Sequence, residues 1–239
     1  MKKTGKLIIG IVAILLLGVG VQQGLKYHLQ GPARPFNALL VSGEKENVDK
    51  AKEIYKDNTK YAKDYKYKTV TNKVKMLDEK GEPFISKDGK ELTGESKFLL
   101  ITKDTAKEML KDQVLRVKKG TEDGSIQTTI LESIPNIETD KTIYFGMENK
   151  DAKLEINGKN ISLEYGSYSW IGYYPSEQGG LIVTDDETYK SIEDKEKDMS
   201  LIRFAKGKKD LRNAKDKEEI NKKLISTQII EINYANIEK

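Results

Sequence analysis

The 239-residue sequence contains no cysteine and a single histidine. Without cysteine the chain has no thiolate nucleophile, no disulfide and no cysteine-based metal site. The histidine, His28, follows a long apolar run, and an interfacial position is the usual one for such a residue. A serine nucleophile normally needs a neighbouring histidine as its general base, and zinc hydrolases need paired histidines. The sequence therefore lacks the residues of the commonest hydrolase sites.

Phosphate-binding loops and basic stripes for nucleic acid are also missing. The Gly179-Gly180 pair precedes a strand, whereas a phosphate cradle follows one. Lysine and arginine number 42 against 38 aspartates and glutamates, and without Lys2, Lys3 and Lys6 the counts are 39 and 38. A protein that neutralises nucleic-acid phosphates needs a clear basic excess. We expect no cofactor, no metal ion and no nucleic-acid partner.

Carboxylates are abundant, but the sequence singles out no pair of them. Asp185-Asp186 follows the apolar run LIVT, and Thr184 with Glu187 three residues later fits a capping box. Acidic residues in a first helical turn also favour the helix dipole, so capping is the expected role. A hydrolase that uses two carboxylates stays open as an alternative, because 38 acidic residues offer many pairs.

The N-terminus has a basic head, MKKTGK, and then an uncharged apolar run at positions 7–21, which is the pattern of a secretory signal. As a helix the run would rise about 22 Å, short of the roughly 30 Å hydrocarbon core, and extension to Leu25 makes a marginal span. No A-x-A cleavage site is present, and Val19 stands where a lipoprotein box would have its cysteine. We expect an uncleaved signal anchor with its positive end inside, and a cleaved signal peptide is the alternative. The apolar residues of this membrane segment are Leu7, Ile8, Ile9, Ile11, Val12, Ile14, Leu15, Leu16, Leu17, Val19 and Val21.

The chain divides into a signal or anchor at 1–25, a linker at 26–35 and an extracytoplasmic domain at 36–239, with possible halves 36–140 and 141–239. The runs LLVS, LLIT and LIVT each predict a buried strand that leads into a polar helix and a further strand. These three strand–helix–strand units indicate either an internal duplication or convergence on a common pattern. Asp88-Gly89 and Asn157-Gly158 predict two-residue hairpin turns. The fold class is α+β, with mixed or antiparallel sheets and helices on one face.

One segment, YGSYSWIGYYP at 165–175, concentrates aromatic residues and holds the only tryptophan. Aromatic rings can cover a sheet as part of the core, and tyrosine and tryptophan in a loop with glycine and serine also suit a contact surface. Both interpretations stay open. The candidate partner contacts are Tyr168, Trp170, Tyr173 and Tyr174.

The stretches SKFLLITKDTAKEML and GGLIVTDDETYKSIEDKEKDMSLIRFAKGKKDL resemble the extracytoplasmic domains of FtsX/MacB-like ABC permeases, where a strand ending in V-S/T-D-E/D leads into a helix. The remaining chain resembles uncharacterised predicted lipoproteins of Gram-positive firmicutes. The lipobox cysteine is missing here, and the chain has no bundle of transmembrane helices. The resemblance implies a non-catalytic subunit that accompanies a membrane transporter.

Three functions follow in order of preference. The first is a membrane-tethered, non-enzymatic accessory protein at the extracytoplasmic face, which docks on or senses for an ABC permease of the FtsX/MacB type. The second is a stand-alone extracellular protein that binds a peptide or another small molecule. The third is a carboxylate-dependent cell-wall hydrolase. The expected location is the cell membrane, or the medium if the signal is cleaved.

Overall fold

The structure is a computed structural model, and it describes residues 36–75, 82–119, 127–146, 153–156, 159–174, 180–229 and 231–238. The apolar run at 7–21, the hydrophobic helix expected there and His28 lie outside these ranges. Contacts between Cα atoms group Phe36–Lys239 into one compact unit.

The described residues form twelve strands, four α-helices and a short 3-10 helix at Lys56–Asn58. The helices are α1 (Lys45–Tyr55), α2 (Lys103–Lys111), α3 (Asp186–Ser191) and α4 (Ala214–Ile225). The strands are β1 (Ala38–Gly43), β2 (Thr59–Lys75), β3 (Thr93–Thr102), β4 (Leu115–Lys119), β5 (Gln127–Ile130), β6 (Thr142–Phe145), β7 (Lys153–Ile156), β8 (Lys159–Ser167), β9 (Ser169–Ile171), β10 (Gly180–Thr184), β11 (Lys197–Phe204) and β12 (Glu231–Ala235).

Nine of these strands form one large sheet in the order β12-β1-β11-β2-β3-β10-β6-β8-β7, and β5-β4-β9 form a small second sheet. The pairs β3–β10 and β6–β8 are parallel, and the other pairs are antiparallel. The predicted α+β class with a mixed sheet is therefore confirmed.

The long strand β2 joins the two parts of the large sheet. Its first part, as far as Tyr67, pairs with β11, and its second part, from Lys68 onward, pairs with β3. Lys68 is buried at this change of partner, and its ammonium group donates to the backbone carbonyl of Tyr189 at 3.0 Å and to that of Ile192. Lys68 therefore links the end of α3 to the sheet by hydrogen bonds.

Alternating side chains on the central strands fill both faces of the large sheet, as the period of two in a strand requires. On one face, Leu40, Leu99 and Leu201 pack with residues of α2 and of the small sheet. On the other face, one cluster includes Leu39 and Ile202 with residues of α1 and α4, and a second includes residues of α3. The expectation that helices cover one face is wrong, because both sets of alternating side chains are apolar and both need cover.

The three predicted strand–helix–strand units are present as β1-α1-β2, β3-α2-β4 and β10-α3-β11. Their third strands differ in position, because β4 lies in the small sheet whereas β2 and β11 lie in the large one. Residues from both possible halves, 36–140 and 141–239, contribute to the same core cluster. Internal duplication and convergence on a common pattern both stay open.

Two local details differ from the sequence-based expectation. The hairpin at 84–92 has a three-residue loop, since Ser86 pairs with Lys90, and Gly89 adopts a φ of 74° that suits the last position of such a loop. The cap of α3 is Asp185, whose carboxylate accepts from the Thr188 N–H at 2.8 Å. Thr184 is fully buried, and its hydroxyl hydrogen-bonds that of Thr142 instead.

Candidate functional site

A hairpin formed by residues 84–92 lies beyond the ends of β2 and β3, which pair as far as Lys75 and Thr93. The Leu92 N–H donates to the Phe84 carbonyl at 2.8 Å, and Ile85 pairs with Glu91. Phe84 and Leu92 therefore face each other across the hairpin and project from the same side of it.

This hairpin exposes apolar side chains that a folded domain would normally cover. Phe84 is 46% exposed, Leu92 41% and Ile85 55%. A contiguous exposed apolar patch is a feature of interaction sites, whereas single exposed apolar residues are ordinary. The sequence analysis missed this patch because the predicted two-residue turn would place Ile85 opposite Leu92, whereas the three-residue loop places Phe84 there.

The four candidate contact residues of the aromatic segment at 165–175 differ in exposure. Trp170 is buried in β9, with 5% of its surface exposed, and its indole N–H donates to the Tyr173 carbonyl at 3.4 Å. Tyr168 is half-buried with the Lys118 ammonium 5.3 Å from its ring. Trp170 therefore packs inside the fold, and a contact role for it stays a prediction that requires a change of conformation.

Tyr173 and Tyr174 lie at the surface next to the first described residue. The Tyr173 ring is half-buried and lies 4.3 Å from that of Phe36. Tyr174 is 47% exposed, and the Lys217 ammonium lies 5.5 Å from its ring and 5.0 Å from that of Tyr234. These rings form an aromatic surface with a cation over it.

A buried asparagine holds this aromatic loop in place. Asn233 Oδ1 accepts from the N–H groups of Tyr173 at 3.1 Å and Tyr174 at 3.2 Å, and its Nδ2 donates to the carbonyls of Ile171 at 3.1 Å and Tyr174 at 2.9 Å. Gly172 has a φ of 83°, and a Cβ atom added there would lie 2.5 Å from Asn233 Cγ. The loop is therefore rigid, and only glycine fits beside the asparagine.

Within the described ranges, five carboxyl groups have clearly shifted pKa values, and all five are lowered: those of Glu46, Asp49, Asp185, Asp210 and Glu219. Hydrogen bonds from the Lys209 and Lys223 ammonium groups lower the pKa of Glu219 to about 2. Burial alone would raise the pKa of Asp185, but hydrogen bonds from the backbone and hydroxyl of Thr188 outweigh burial and lower it. None of these five groups has the raised pKa that a catalytic acid needs at neutral pH.

The described ranges contain no group of three or more acidic or histidine side chains that could hold a metal ion. A cavity of about 10 Å³, space for roughly one water molecule, lies between β9 and the large sheet. Its lining residues are Leu40, Val41, Ser42, Leu99, Ile171, Met199, Glu231 and Asn233. Each helix of the described residues is too short or too polar to cross a membrane.

Comparison with known proteins finds a solved structure with a similar fold. The chain is similar to a candidate lipoprotein from Bacillus anthracis, solved at 1.5 Å, with a TM-score of 0.60 and 18% identity, over 84% of this chain and 99% of that one. At that identity the likeness shows the fold alone. No curated protein matches the sequence.

The family model of an uncharacterised lipoprotein family matches residues 36–233, which are most of the chain. The predicted lipoprotein resemblance is confirmed, while the resemblance to FtsX/MacB-like domains stays a prediction. The protein therefore belongs to this uncharacterised lipoprotein family, and such membership implies attachment at a membrane surface.

Proposed function

We propose that this protein is a membrane-tethered, extracytoplasmic accessory protein without catalytic activity, which docks on an ABC permease of the FtsX/MacB type. Family membership supports attachment at a membrane surface. The basic head and apolar run of the N-terminus support export, and the strand-to-helix stretches that resemble permease domains suggest the class of partner.

The observation that carries the proposal is the apolar patch on the hairpin at 84–92. Phe84 and Leu92 lie side by side, nearly half exposed, at the end of the β2–β3 pair. Their removal from water by a partner would be favourable by roughly 25 cal/mol for each Å² of apolar surface. A projecting hairpin with an aromatic anchor suits insertion into a groove of another protein.

The hairpin lies far from the first residue of the domain. β1 and β2 run in the same direction, because each is antiparallel to β11 between them. Phe36, where the linker joins the domain, lies at the start of β1, and the hairpin lies beyond the end of β2. Sixteen rises of about 3.3 Å along β2 place the two sites roughly 50 Å apart. The hairpin and the first residue of the domain therefore lie at opposite ends of β2.

Co-purification of the full-length tagged chain from detergent-solubilised membranes tests the proposal. We expect an ABC permease in the eluate, identified by peptide mass spectrometry. The double variant Phe84→Ser/Leu92→Ser should lose it, because the exposed patch is removed. The matched control is Ile225→Ser at the end of α4, where the side chain is 78% exposed. Recovery of the wild-type chain without a permease, or equal permease recovery with both variants, would contradict docking through the hairpin.

A further inference from the structure

Arg203, on β11, has a guanidinium group that the described residues leave partly unpaired. Its Nη1 donates to the Asn37 carbonyl at 3.2 Å, while its Nε is buried and has no hydrogen-bond partner. Among the described residues, no other buried side-chain nitrogen or oxygen lacks a partner. Buried polar atoms are nearly always paired in folded proteins, so this exception requires a physical explanation.

The other two arginines of residues 36–239 both have a paired Nε. That of Arg116 donates to the Thr128 hydroxyl at 3.4 Å, and that of Arg212 donates to the Asp210 carboxylate at 3.3 Å. Burial lowers the pKa of Arg203, and the neighbouring Tyr61 opposes this shift. The described acidic side chains leave Arg203 without an ion pair, so its charge is uncompensated.

A second unpaired donor lies next to Arg203. Tyr61 is directly opposite Arg203 where β2 pairs with β11, and both residues lie on the face of the sheet that carries Leu201. The Tyr61 hydroxyl makes no hydrogen bond to the described residues, and it is not buried. A guanidinium group and a hydroxyl group are therefore available side by side on two neighbouring strands.

The acidic residue beside Tyr61 is already engaged. Burial raises the pKa of Tyr61, and the charge of Asp112 raises it further. The Asp112 carboxylate accepts from the Tyr65 hydroxyl at 2.6 Å and pairs with the Lys63 ammonium group at 2.8 Å. Glu108 lies 3.8 Å from the same ammonium group. These negative charges disfavour a phosphate dianion at Arg203, whereas an anion with a single charge is repelled less.

The free edge of the guanidinium group is the one formed by Nε and Nη2. Nη1 is held by Asn37, and Nη2 has no partner among the described residues and is not buried. The N–H groups of this edge are parallel, and a planar carboxylate accepts from both with its two oxygens. Nε is now shielded, but a small rotation at the end of the side chain would expose it, because one hydrogen bond holds the group.

We propose that Arg203 and Tyr61 form a binding site for a carboxylate with a single charge, held by the Nε–Nη2 edge of Arg203 and by the Tyr61 hydroxyl. A small organic acid and the C-terminal end of a peptide both carry this group. The site lies near the start of β2, whereas the hairpin at 84–92 lies beyond its end. The proposal therefore does not rest on docking through that hairpin.

Nitrogen–proton NMR of residues 36–239 tests the site. This part contains all three core clusters in one compact unit, so it folds without the segment that precedes it. Each arginine Nε–H group gives its own signal. Sodium acetate, exchanged for sodium chloride at constant ionic strength, should shift the Arg203 signal until it saturates and leave those of Arg116 and Arg212 in place. No saturable shift, or an equal shift of all three signals, would overturn the proposal.

Substitutions assign the binding to the two donors, with affinity measured from the backbone amide signals of residues 61 and 203. Arg203→Lys keeps the charge but removes the planar edge, and should weaken acetate binding by about tenfold or more. Tyr61→Phe removes one neutral donor and should weaken it by about fivefold. Arg212→Lys and Tyr168→Phe are the matched controls. Equal affinity in the test and control variants would overturn the assignment of the site.

A peptide arm distinguishes the two sources of a carboxylate. Saturable binding of tri-alanine with a free C-terminus, but not of its C-terminal amide, would assign the site to peptide ends. Binding of acetate without the free peptide would assign it to small acids. Equal binding of the amide, or tighter binding of inorganic phosphate than of acetate, would overturn the choice of a carboxylate. These outcomes leave permease recovery through Phe84 and Leu92 unchanged, so the two proposals fail independently.

Discussion

The pair Gly172 and Asn233 offers a sharp test of the aromatic loop. Gly172→Ala introduces a Cβ atom 2.5 Å from Asn233 Cγ, 2.7 Å from Nδ2 and 2.8 Å from Oδ1, at a φ of 83°. The asparagine must then move, and the hydrogen bonds that it makes to the loop break. Asn233→Ala removes all three of the crowding atoms together with the same hydrogen bonds. The two substitutions therefore damage one interaction, and their effects should not add.

The magnitude follows from the groups left without partners. Asn233→Ala deprives Ile171 of a donor and Tyr234 of an acceptor inside the fold, while water can replace the bonds to exposed Tyr174. At about 1–3 kcal/mol for each buried unsatisfied group, the loss in the free energy of unfolding is about 3 kcal/mol. Gly172→Ala has the same cost plus about 1 kcal/mol of backbone strain at positive φ. The double variant should lose about 4 kcal/mol, where additivity would require about 7 kcal/mol.

Equilibrium unfolding in urea of residues 36–239 measures the four proteins of this cycle. Gly207→Ala is the matched control, because Gly207 also has a positive φ of 75° and has no atom within 4 Å of an added Cβ. It should lose only about 1 kcal/mol. A double variant whose loss equals the sum of the single losses within about 0.5 kcal/mol would refute the clamp.

Three further predictions concern stability. Asp185→Ala should cost about 1 kcal/mol in urea unfolding as the loss of a helix cap, and Glu187→Ala, which would break a capping box but not this cap, should cost less; the reverse order would restore the capping box. Lys68→Met leaves two carbonyls at the end of α3 without a donor and should cost about 2–4 kcal/mol, whereas a cost under 0.5 kcal/mol would mean that water replaces the ammonium group. Glu219 has a pKa lowered from its ordinary 4.5 to about 2, so its stabilising effect is complete above about pH 4.5 and is lost as pH falls toward 2. Between pH 4.5 and 2, the free energy of unfolding should depend less on pH in Glu219→Gln than in the control Glu218→Gln. The same pH dependence in both variants would contradict this prediction.

Much of the fold could be predicted because the central strands carry strong local signals. The runs around Leu39, Leu99 and Leu181 are continuous apolar stretches, and a strand in the middle of a covered sheet produces such a stretch. Because these apolar runs are unbroken, both faces of the sheet must be covered. Helices on both faces could therefore have been predicted from the sequence. The hairpin patch could not be predicted, because it depends on the three-residue loop, and the two-residue turn that the sequence indicated sets Ile85 opposite Leu92.

Other features depend on contacts between distant parts of the chain. β11 inserts between β1 and β2 although it follows them by more than a hundred residues, and local patterns carry no information on strand order. The Asn233 clamp joins β12 to a loop sixty residues away. The cap of α3 moved from Thr184 to Asp185 because a buried partner, Thr142, engages the threonine hydroxyl, and no pattern near residue 184 indicates that partner.

The place where the linker joins the fold also decides how the domain responds to force. β1 is hydrogen-bonded on both sides, with six residues in register with β11 and five with β12. A pull on the linker along β1 loads both ladders in shear, so their hydrogen bonds must break together rather than one after another. A domain pulled between its linker and a partner bound at the hairpin would therefore transmit tension through its sheet before it unfolded.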